Sequence, residues 1–265
     1  MYSFNYSKPD TIEAAREMMR SAEDGIYLAG GQTLIPAMKQ RLSAPTDVID
    51  LSSIGELTDI DVSDGRVRLG ALVKHADVAG SDAVRSAIPA LADLAAGIGD
   101  AQVRNRGTIG GSVANNDPAA DYPAALLGLG ASVHTDQRQI PADDFFVGLF
   151  ETALEEGEII TQVAFPVPDR AAYAKFPNPA SRYATVGVFI GVRDGVTRVA
   201  VTGAAPCAFR SAEIEAALNA EISARSLDGI TIGADDLNND IHASAEYRAH
   251  LVTVMAKRAV TALPK

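Results

Sequence analysis

Gly99-Asp100-Ala101-Gln102-Val103-Arg104-Asn105-Arg106-Gly107-Thr108-Ile109-Gly110-Gly111-Ser112-Val113-Ala114-Asn115-Asn116-Asp117-Pro118-Ala119-Ala120-Asp121 is the densest unusual segment of this 265-residue chain, polar and rich in glycine. Its Gly110-Gly111 pair has an earlier counterpart in Ala29-Gly30-Gly31-Gln32-Thr33, which closes the short strand pattern Ile26-Tyr27-Leu28-Ala29. Lacking Cβ atoms, such turns bring backbone N–H groups close to a phosphate and aim them at it, and Thr33, Thr108 and Ser112 add hydroxyl donors. One glycine pair is most simply a turn. Two pairs, flanked by hydroxyls and amides and followed by Asn115-Asn116-Asp117, point to a phosphate-bearing ligand. Neither segment has the third glycine of GxGxxG, and GxxxxGK[ST] is absent, so a nicotinamide Rossmann or P-loop site is a weak reading.

Outward from these loops, the spacing predicts a helix from an Asp10 or Thr11 cap through Ser21, ended by Gly25, and a helical segment from Leu34 to Lys39. Val48 to Leu51 and Arg66 to Gly70 read as strands, and Ile88 to Ile98 as an alanine-rich helix with Pro89 near its start. Beyond the second loop come a buried helix, Ala124 to Gly130, and strands over Ala131 to Thr135 and Glu158 to Phe165. The four prolines between Pro166 and Pro179 mark a linker or domain crossing. After it, Ala184 to Arg193 and Val196 to Gly203 flank Asp194-Gly195, a type I′ hairpin signal, and helices near Ser211 to Asn219 and Glu246 to Leu263 would cover one face of the resulting antiparallel sheet.

Composition narrows the function classes. With 47% apolar and 22% charged residues the chain is globular, and at its length it buries roughly 75% of its unfolded surface, in one large domain or two smaller ones. Its 23 Lys and Arg against 34 Asp and Glu leave a net charge of −11, which repels nucleic acid and anionic membranes. The single Cys207 excludes an internal disulfide or a Cys-only cluster and fits the reducing cytoplasm. Met1-Tyr2-Ser3-Phe4-Asn5 lacks signal-peptide character, no apolar run approaches the ~20 residues of a membrane span, and the four histidines are scattered without metal-ligand spacing.

Several side chains carry two readings each. Asp121 is either a cap before Pro123 or an acceptor for ribose hydroxyls; Arg104 and Arg106 are either a solvated loop or the local countercharge to a pyrophosphate. Lys175 and Tyr183 lie around the proline-rich crossing, where an ammonium and an aromatic face could meet a planar cofactor or could simply be surface and packing. His75 and His134 have no nucleophile or Cys partner, and Cys207 reads as a small buried hydrophobe. No GxSxG, HExxH or paired-carboxylate set is present: the chain can hold a cofactor but shows no machinery to attack a substrate.

These residues resemble the FAD-binding medium subunit of molybdenum hydroxylases, as in aerobic carbon monoxide dehydrogenase and the flavin domain of xanthine dehydrogenase, over nearly the whole chain. Ala29-Gly30-Gly31-Gln32-Thr33-Leu34 is similar to the family's first pyrophosphate loop, and Thr108-Ile109-Gly110-Gly111-Ser112-Val113-Ala114-Asn115 with Asp121 to its second. The resemblance implies an α+β fold: a FAD-binding domain of the vanillyl-alcohol-oxidase type over 1–167, in subdomains of about 1–55 and 56–167, then a smaller α+β domain, an antiparallel sheet with helices, over 168–265. It also implies that Ile160 packs near the flavin and that Lys175 and Tyr183 stand beside the isoalloxazine. Ser181-Arg182-Tyr183-Ala184 departs from the Arg-Arg-x-x-Asp run of relatives, and Ile98 stands where some carry an aromatic residue.

The implied function is electron transfer. Substrate is oxidised at a molybdenum–pterin centre in a large subunit, electrons cross two [2Fe–2S] clusters in an iron–sulfur small subunit, and FAD in this chain passes them to an external electron acceptor. One cysteine cannot supply the roughly eight cluster ligands, so the partners are separate chains. The sequence itself discloses no oligomeric state; the resemblance implies a dimer of heterotrimers. Asn115-Asn116-Asp117-Pro118 resembles carbon monoxide dehydrogenase chains most, while aldehydes and N-heterocycles stay open as substrates. Two other readings remain: a self-contained flavin oxidase or reductase related to cell-wall precursor reductases, and a cofactor-free interaction subunit.

Overall fold

In the computed structural model, which describes residues 1–264, the chain opens with β1 (Asn5–Ser7), α1 (Ile12–Ser21), β2 (Gly25–Leu28), α2 (Leu34–Lys39) and β3 (Asp47–Asp50). The strands form a parallel sheet in the order β1-β3-β2. Thr11 caps α1, its Oγ1 accepting the Ala14 N–H at 3.1 Å, and Ala15 on the inner face packs with Ile49, Leu51, Ile54 and Ile159.

The second layer is an antiparallel sheet ordered β4-β5-β10-β6-β7, made of β4 (Ile60–Ser63), β5 (Arg66–Gly70), β6 (Ser132–Thr135), β7 (Gln139–Pro141) and β10 (Ile160–Pro166). Between β5 and β6 lie α3 (His75–Gly80), α4 (Asp82–Ala87), α5 (Pro89–Ala96), α6 (Ala101–Arg104), α7 (Ile109–Asn115) and α8 (Tyr122–Leu129). Pro89 occupies the first turn of α5, where its missing N–H leaves no bond unmade. Between β7 and β10 come α9 (Ala142–Phe145) and a small hairpin, β8 (Phe146–Gly148) with β9 (Glu151–Thr152).

All eight residues of α8 are buried, because the helix is covered on both sides. One core joins Val67, Leu69, Val133 and Val163 of the five-stranded sheet through Leu126 of α8 to Phe189 and Ala200 of the next sheet. Each fully buried aliphatic or aromatic side chain there contributes roughly 1.5–3 kcal/mol. That next sheet is antiparallel, ordered β11-β12-β13-β14, from β11 (Arg170–Pro177), β12 (Ala184–Arg193), β13 (Val196–Thr202) and β14 (Phe209–Arg210). Its other face packs Val186, Val188 and Val201 against Ile214 and Leu218 of α10 (Ala212–Ala220) and Val252 and Met255 of α11 (Ala245–Ala262). Asp194 and Gly195 both have positive φ, as the I′ reading requires.

The proline-rich stretch is a correction to the linker reading. Arg170–Pro177 is an edge strand, and only residues 167–169 pass between the sheets, held by Val167 N–H on Gly65 O and Asp169 N–H on Val192 O. Prolines mislead here because a strand tolerates them at its ends: Pro166 closes the central strand β10, and Pro177 closes the edge strand β11 at an irregular register step. Among the described residues no helix is long and apolar enough to cross a membrane, and no group of three or more metal-ligating side chains could hold an ion.

Candidate cofactor site

The first glycine loop runs from the end of β2 into α2. A Cβ on Gly30 would lie 2.1 Å from Arg106 O and 2.8 Å from Gly107 Cα, so this backbone lies directly against the entry to the second loop. Among the described residues no protein acceptor takes the N–H groups of Gly30, Gly31, Gln32 or Thr33. Thr33 precedes α2 without a side-chain capping bond, Gln32 and Thr33 are exposed, and Leu34 begins the helix half-buried. The loop therefore presents a run of backbone donors to its surroundings.

The second loop is built differently. Ile109 N–H bonds Val73 O at 3.0 Å, Gly110 N–H bonds Ala71 O at 2.8 Å, and Ser112 N–H bonds Thr108 O at 3.0 Å. Gly111 N–H is capped by Thr108 Oγ1 at 3.2 Å. Gly110 is turned inward, where a Cβ would stand 2.5 Å from Ala71 Cβ. The amides of 109 to 112 all have acceptors within the protein, those of Ile109 and Gly110 in the segment that follows β5 and those of Gly111 and Ser112 on Thr108. What this loop can offer is side chains: neither Ser112 Oγ nor the Asn115 amide, both half-buried, has a protein hydrogen-bond partner among the described residues. A Cβ on Gly111 would come within 3.7 Å of Ala29 Cβ, which puts the two loops on one cleft.

Asp121 is not the helix cap that its neighbours suggest, and its carboxylate has partners within the protein. It precedes α8 without a side-chain cap; buried at 4% exposure, its Oδ2 accepts from Lys175 Nζ at 3.0 Å and its Oδ1 from the Tyr173 hydroxyl. Lys175 Nζ also donates to Gly97 O at 2.9 Å, beside Ile98. Burial pushes the Asp121 carboxyl up, against the opposing pull of Lys175 and Tyr173. Tyr183 is half-exposed, and its phenol is pushed up by burial and by the carboxylates of Asp117 and Asp121. One polar group, Asp121 with Lys175, thereby joins the start of α8, the end of α5 and β11, with Tyr183 nearby.

The remaining candidates separate. Arg104 is turned to the protein, its Nη1 donating to Ile98 O at 3.0 Å and Gly99 O at 3.3 Å, whereas Arg106 is exposed beside the first loop. Ile160 is buried opposite Thr135 in the core that α7 and α8 cover. His75 is buried with its ring 5.4 Å from that of Tyr122; burial, and then Arg104, hold its pKa down at about 4. Among the described residues its Nδ1 and the Tyr122 hydroxyl have no hydrogen-bond partner.

Two residues that matter were missed. Asn116 is fully buried in the left-handed region at the end of α7, and its Nδ2 donates to Gly148 O at 2.9 Å and Glu151 O at 2.8 Å. An asparagine before Asp-Pro at a helix end was a legible signal for it. Tyr173 shares a strand face with Lys175 two residues on, a period-2 signal hidden by the linker reading.

The chain is similar to known proteins over almost its whole length. Residues 2–168 match the family described as FAD binding domain in molybdopterin dehydrogenase. The chain is 37% identical to the nicotine 6-hydroxylase medium subunit of Paenarthrobacter nicotinovorans, over 97% of this chain and 96% of that one. It is 33% identical to the carbon monoxide dehydrogenase medium chain of Hydrogenophaga pseudoflava, over 98% and 96%. A crystal structure of Cu,Mo-CO dehydrogenase in a cyanide-inactivated form superposes with a TM-score of 0.89 at 32% identity, over 98% of this chain and 97% of that one. The identity to a nicotine hydroxylase subunit exceeds that to the carbon monoxide dehydrogenase chain, so the Asn115-to-Pro118 likeness singles out no substrate.

Proposed function

The chain belongs to the family of FAD-binding domains in molybdopterin dehydrogenases, and from that premise we propose that it takes electrons from [2Fe–2S] clusters of a small partner subunit and passes them to an external acceptor. It is an oxidoreductase component, a medium FAD subunit of the molybdenum hydroxylase class. The molybdenum–pterin centre belongs, in this reading, to a large third subunit, and two such trimers form the dimer. The division into residues 1–167 and 168–265 and a cytoplasmic location are part of the same proposal.

The observation that carries this reading is a set of unengaged donors on two touching loops: the N–H groups of residues 30–33 on one, the side chains of Ser112 and Asn115 on the other. Such a set fits a pyrophosphate. Arg106 supplies the local positive charge that a chain of net charge −11 must bring to an anionic ligand. Ala29 and Gly111 keep the cleft narrow and clear of side chains, while Thr108 and Gly110 hold the second loop in place.

Bound FAD supplies acceptance and release of electrons, and the protein supplies orientation and electrostatics. Lys175, fixed by Asp121 and Gly97 O, holds one ammonium at a set position for the ring system. Tyr183 adds an aromatic face and Ile98 a half-buried apolar wall that limits water, while Ile160 packs in the core that α7 and α8 cover.

Purification through a tag on this chain, with FAD, iron and molybdenum counted per chain, tests the assignment. Bound FAD with iron and molybdenum in co-eluting subunits is the expected result. A lone yellow chain that turns over a small organic substrate by itself overturns it in favour of a self-contained flavin oxidase or reductase.

A further inference from the structure

We infer that Tyr173 is a positioning residue for the cofactor: acting through Asp121, it fixes the Lys175 ammonium at the place proposed above for the ring system, an inference that rests on the electron-transfer reading. Tyr173 and Lys175 stand two residues apart on one face of β11. The Asp121 carboxylate joins them, its Oδ1 accepting from the Tyr173 hydroxyl and its Oδ2 from Lys175 Nζ at 3.0 Å. Lys175 Nζ gives a second N–H to Gly97 O at 2.9 Å. An ammonium has three such donors, so among the described residues one is left without a protein acceptor. Two fixed bonds decide where the third points, and one of them is only as well aimed as the carboxylate that accepts it.

The sheet gives up a side chain to make room for this hydroxyl. Gly187 lies inside β12, opposite Lys175 on one side and Thr202 of β13 on the other. Glycine weakens a strand interior, yet a Cβ here would collide with the Tyr173 hydroxyl and stand 3.0 Å from Thr202 Cγ2. The chain just before Asp121 is anchored without Tyr173, since Thr202 Oγ1 donates to Ala120 O at 2.6 Å and to Pro118 O at 3.0 Å. The Tyr173 ring packs beside that of Phe189, with centroids 6.1 Å apart, a contact that a phenylalanine would keep. The hydroxyl is therefore left with one task, the carboxylate. Burial pushes the Asp121 carboxyl up, toward its neutral form, while Lys175 and the Tyr173 hydroxyl pull it down. Without that hydroxyl Asp121 carries less charge against Lys175, the ammonium is less compensated, and a reduced, more negative ring beside it is favoured over an oxidised one.

The test uses the FAD-loaded protein purified from the source cell through a tag on this chain, wild type against Tyr173→Phe, which keeps the ring and removes the hydroxyl. Redox titration of the flavin should show reduced FAD gaining on oxidised FAD by at least threefold in relative affinity, a rise of about 14 mV for a two-electron couple. A second comparison adds Tyr173→Phe to the double variant Asp121→Asn with Lys175→Met, where the ratio should change by less than threefold. Bound FAD whose ratio moves less than threefold in Tyr173→Phe alone, or moves the other way, overturns the inference even where the melting temperature falls, and leaves the electron-transfer reading standing. A shift of threefold or more in the double variant overturns it too, because the hydroxyl then acts without Asp121 and Lys175. Wild-type chain eluting without FAD overturns the electron-transfer reading itself, and this inference with it.

Discussion

Arg106 O stands 2.1 Å from the position a Cβ on Gly30 would take, so the two loops of the cleft meet backbone to backbone. Neither atom is the end of a flexible side chain. Gly30→Ala must push the first loop away from the second and disperse the N–H groups of residues 30–33. FAD retained after desalting should correspond to at least a tenfold weaker complex, about 1.4 kcal/mol. Gly55→Ala, whose new Cβ would meet nothing within 4 Å, should leave FAD content unchanged.

The adjacent glycines of the second loop should behave oppositely. Gly110→Ala drives a Cβ to 2.5 Å from Ala71 Cβ and 2.7 Å from Ala71 O in the interior, and should lower the melting temperature of the FAD-free protein. Gly111→Val meets only the Thr108 hydroxyl at 2.9 Å and Ala29 at 3.7 Å. It should disturb the Thr108 cap by about 0.5–2 kcal/mol but abolish FAD binding. Stoichiometric FAD in Gly111→Val would refute the cleft assignment.

Asp121 and Lys175 form a pair at 4% and 11% side-chain exposure. Removing one partner leaves the other charge buried, so Asp121→Asn or Lys175→Met alone should destabilise by about 3–5 kcal/mol, whereas the double variant should recover much of that. Tyr173→Phe, which takes one donor from the carboxylate, should cost about 1–3 kcal/mol. Urea unfolding of the four proteins gives the coupling; additive losses would show that the pair is not an energetic unit.

Stability should fall as solutions are acidified through the range set by His75. Its pKa is about 4 in the folded chain, below the ordinary 6.5, so protons bind the unfolded state more tightly. The contribution is complete above about 6.5 and is lost as pH drops toward about 4, on the order of 3 kcal/mol in all. His75→Phe should flatten that part of the profile. Below it, Glu158, held down at about 2 by its hydrogen bonds from Arg138, adds a second loss from about 4.5 downward that the substitution leaves intact. Identical urea midpoints against pH in wild type and His75→Phe would rule out the buried histidine as the source.

Local signals carried where they were strong and unopposed. The Asp194-Gly195 turn, Pro89 at the start of α5 and the segment Leu34–Lys39 are set by φ preferences and periodicity within a few residues, and they stand as read. The proline stretch misled because whether a proline-flanked segment is linker or edge strand depends on a neighbour, here β12, that lies beyond it in the sequence. Asp121 likewise reads as a cap from its neighbours, yet its partners are Tyr173 and Lys175, more than fifty residues away.

The sequence by itself determined that the chain has two glycine loops with polar flanks, an α+β pattern and a family resemblance, since these rest on residue type and short spacing. Only the tertiary structure decided which donors remain for a ligand. Packing α7 against the segment that follows β5 engages the amides of Ile109 and Gly110 on Val73 O and Ala71 O, Thr108 takes those of Gly111 and Ser112, and the first loop, meeting Arg106 through a bare Gly30, keeps its own free of protein acceptors among the described residues. Hydrogen-bond satisfaction is a property of the assembled fold, because every buried N–H takes whichever acceptor the packing brings to it.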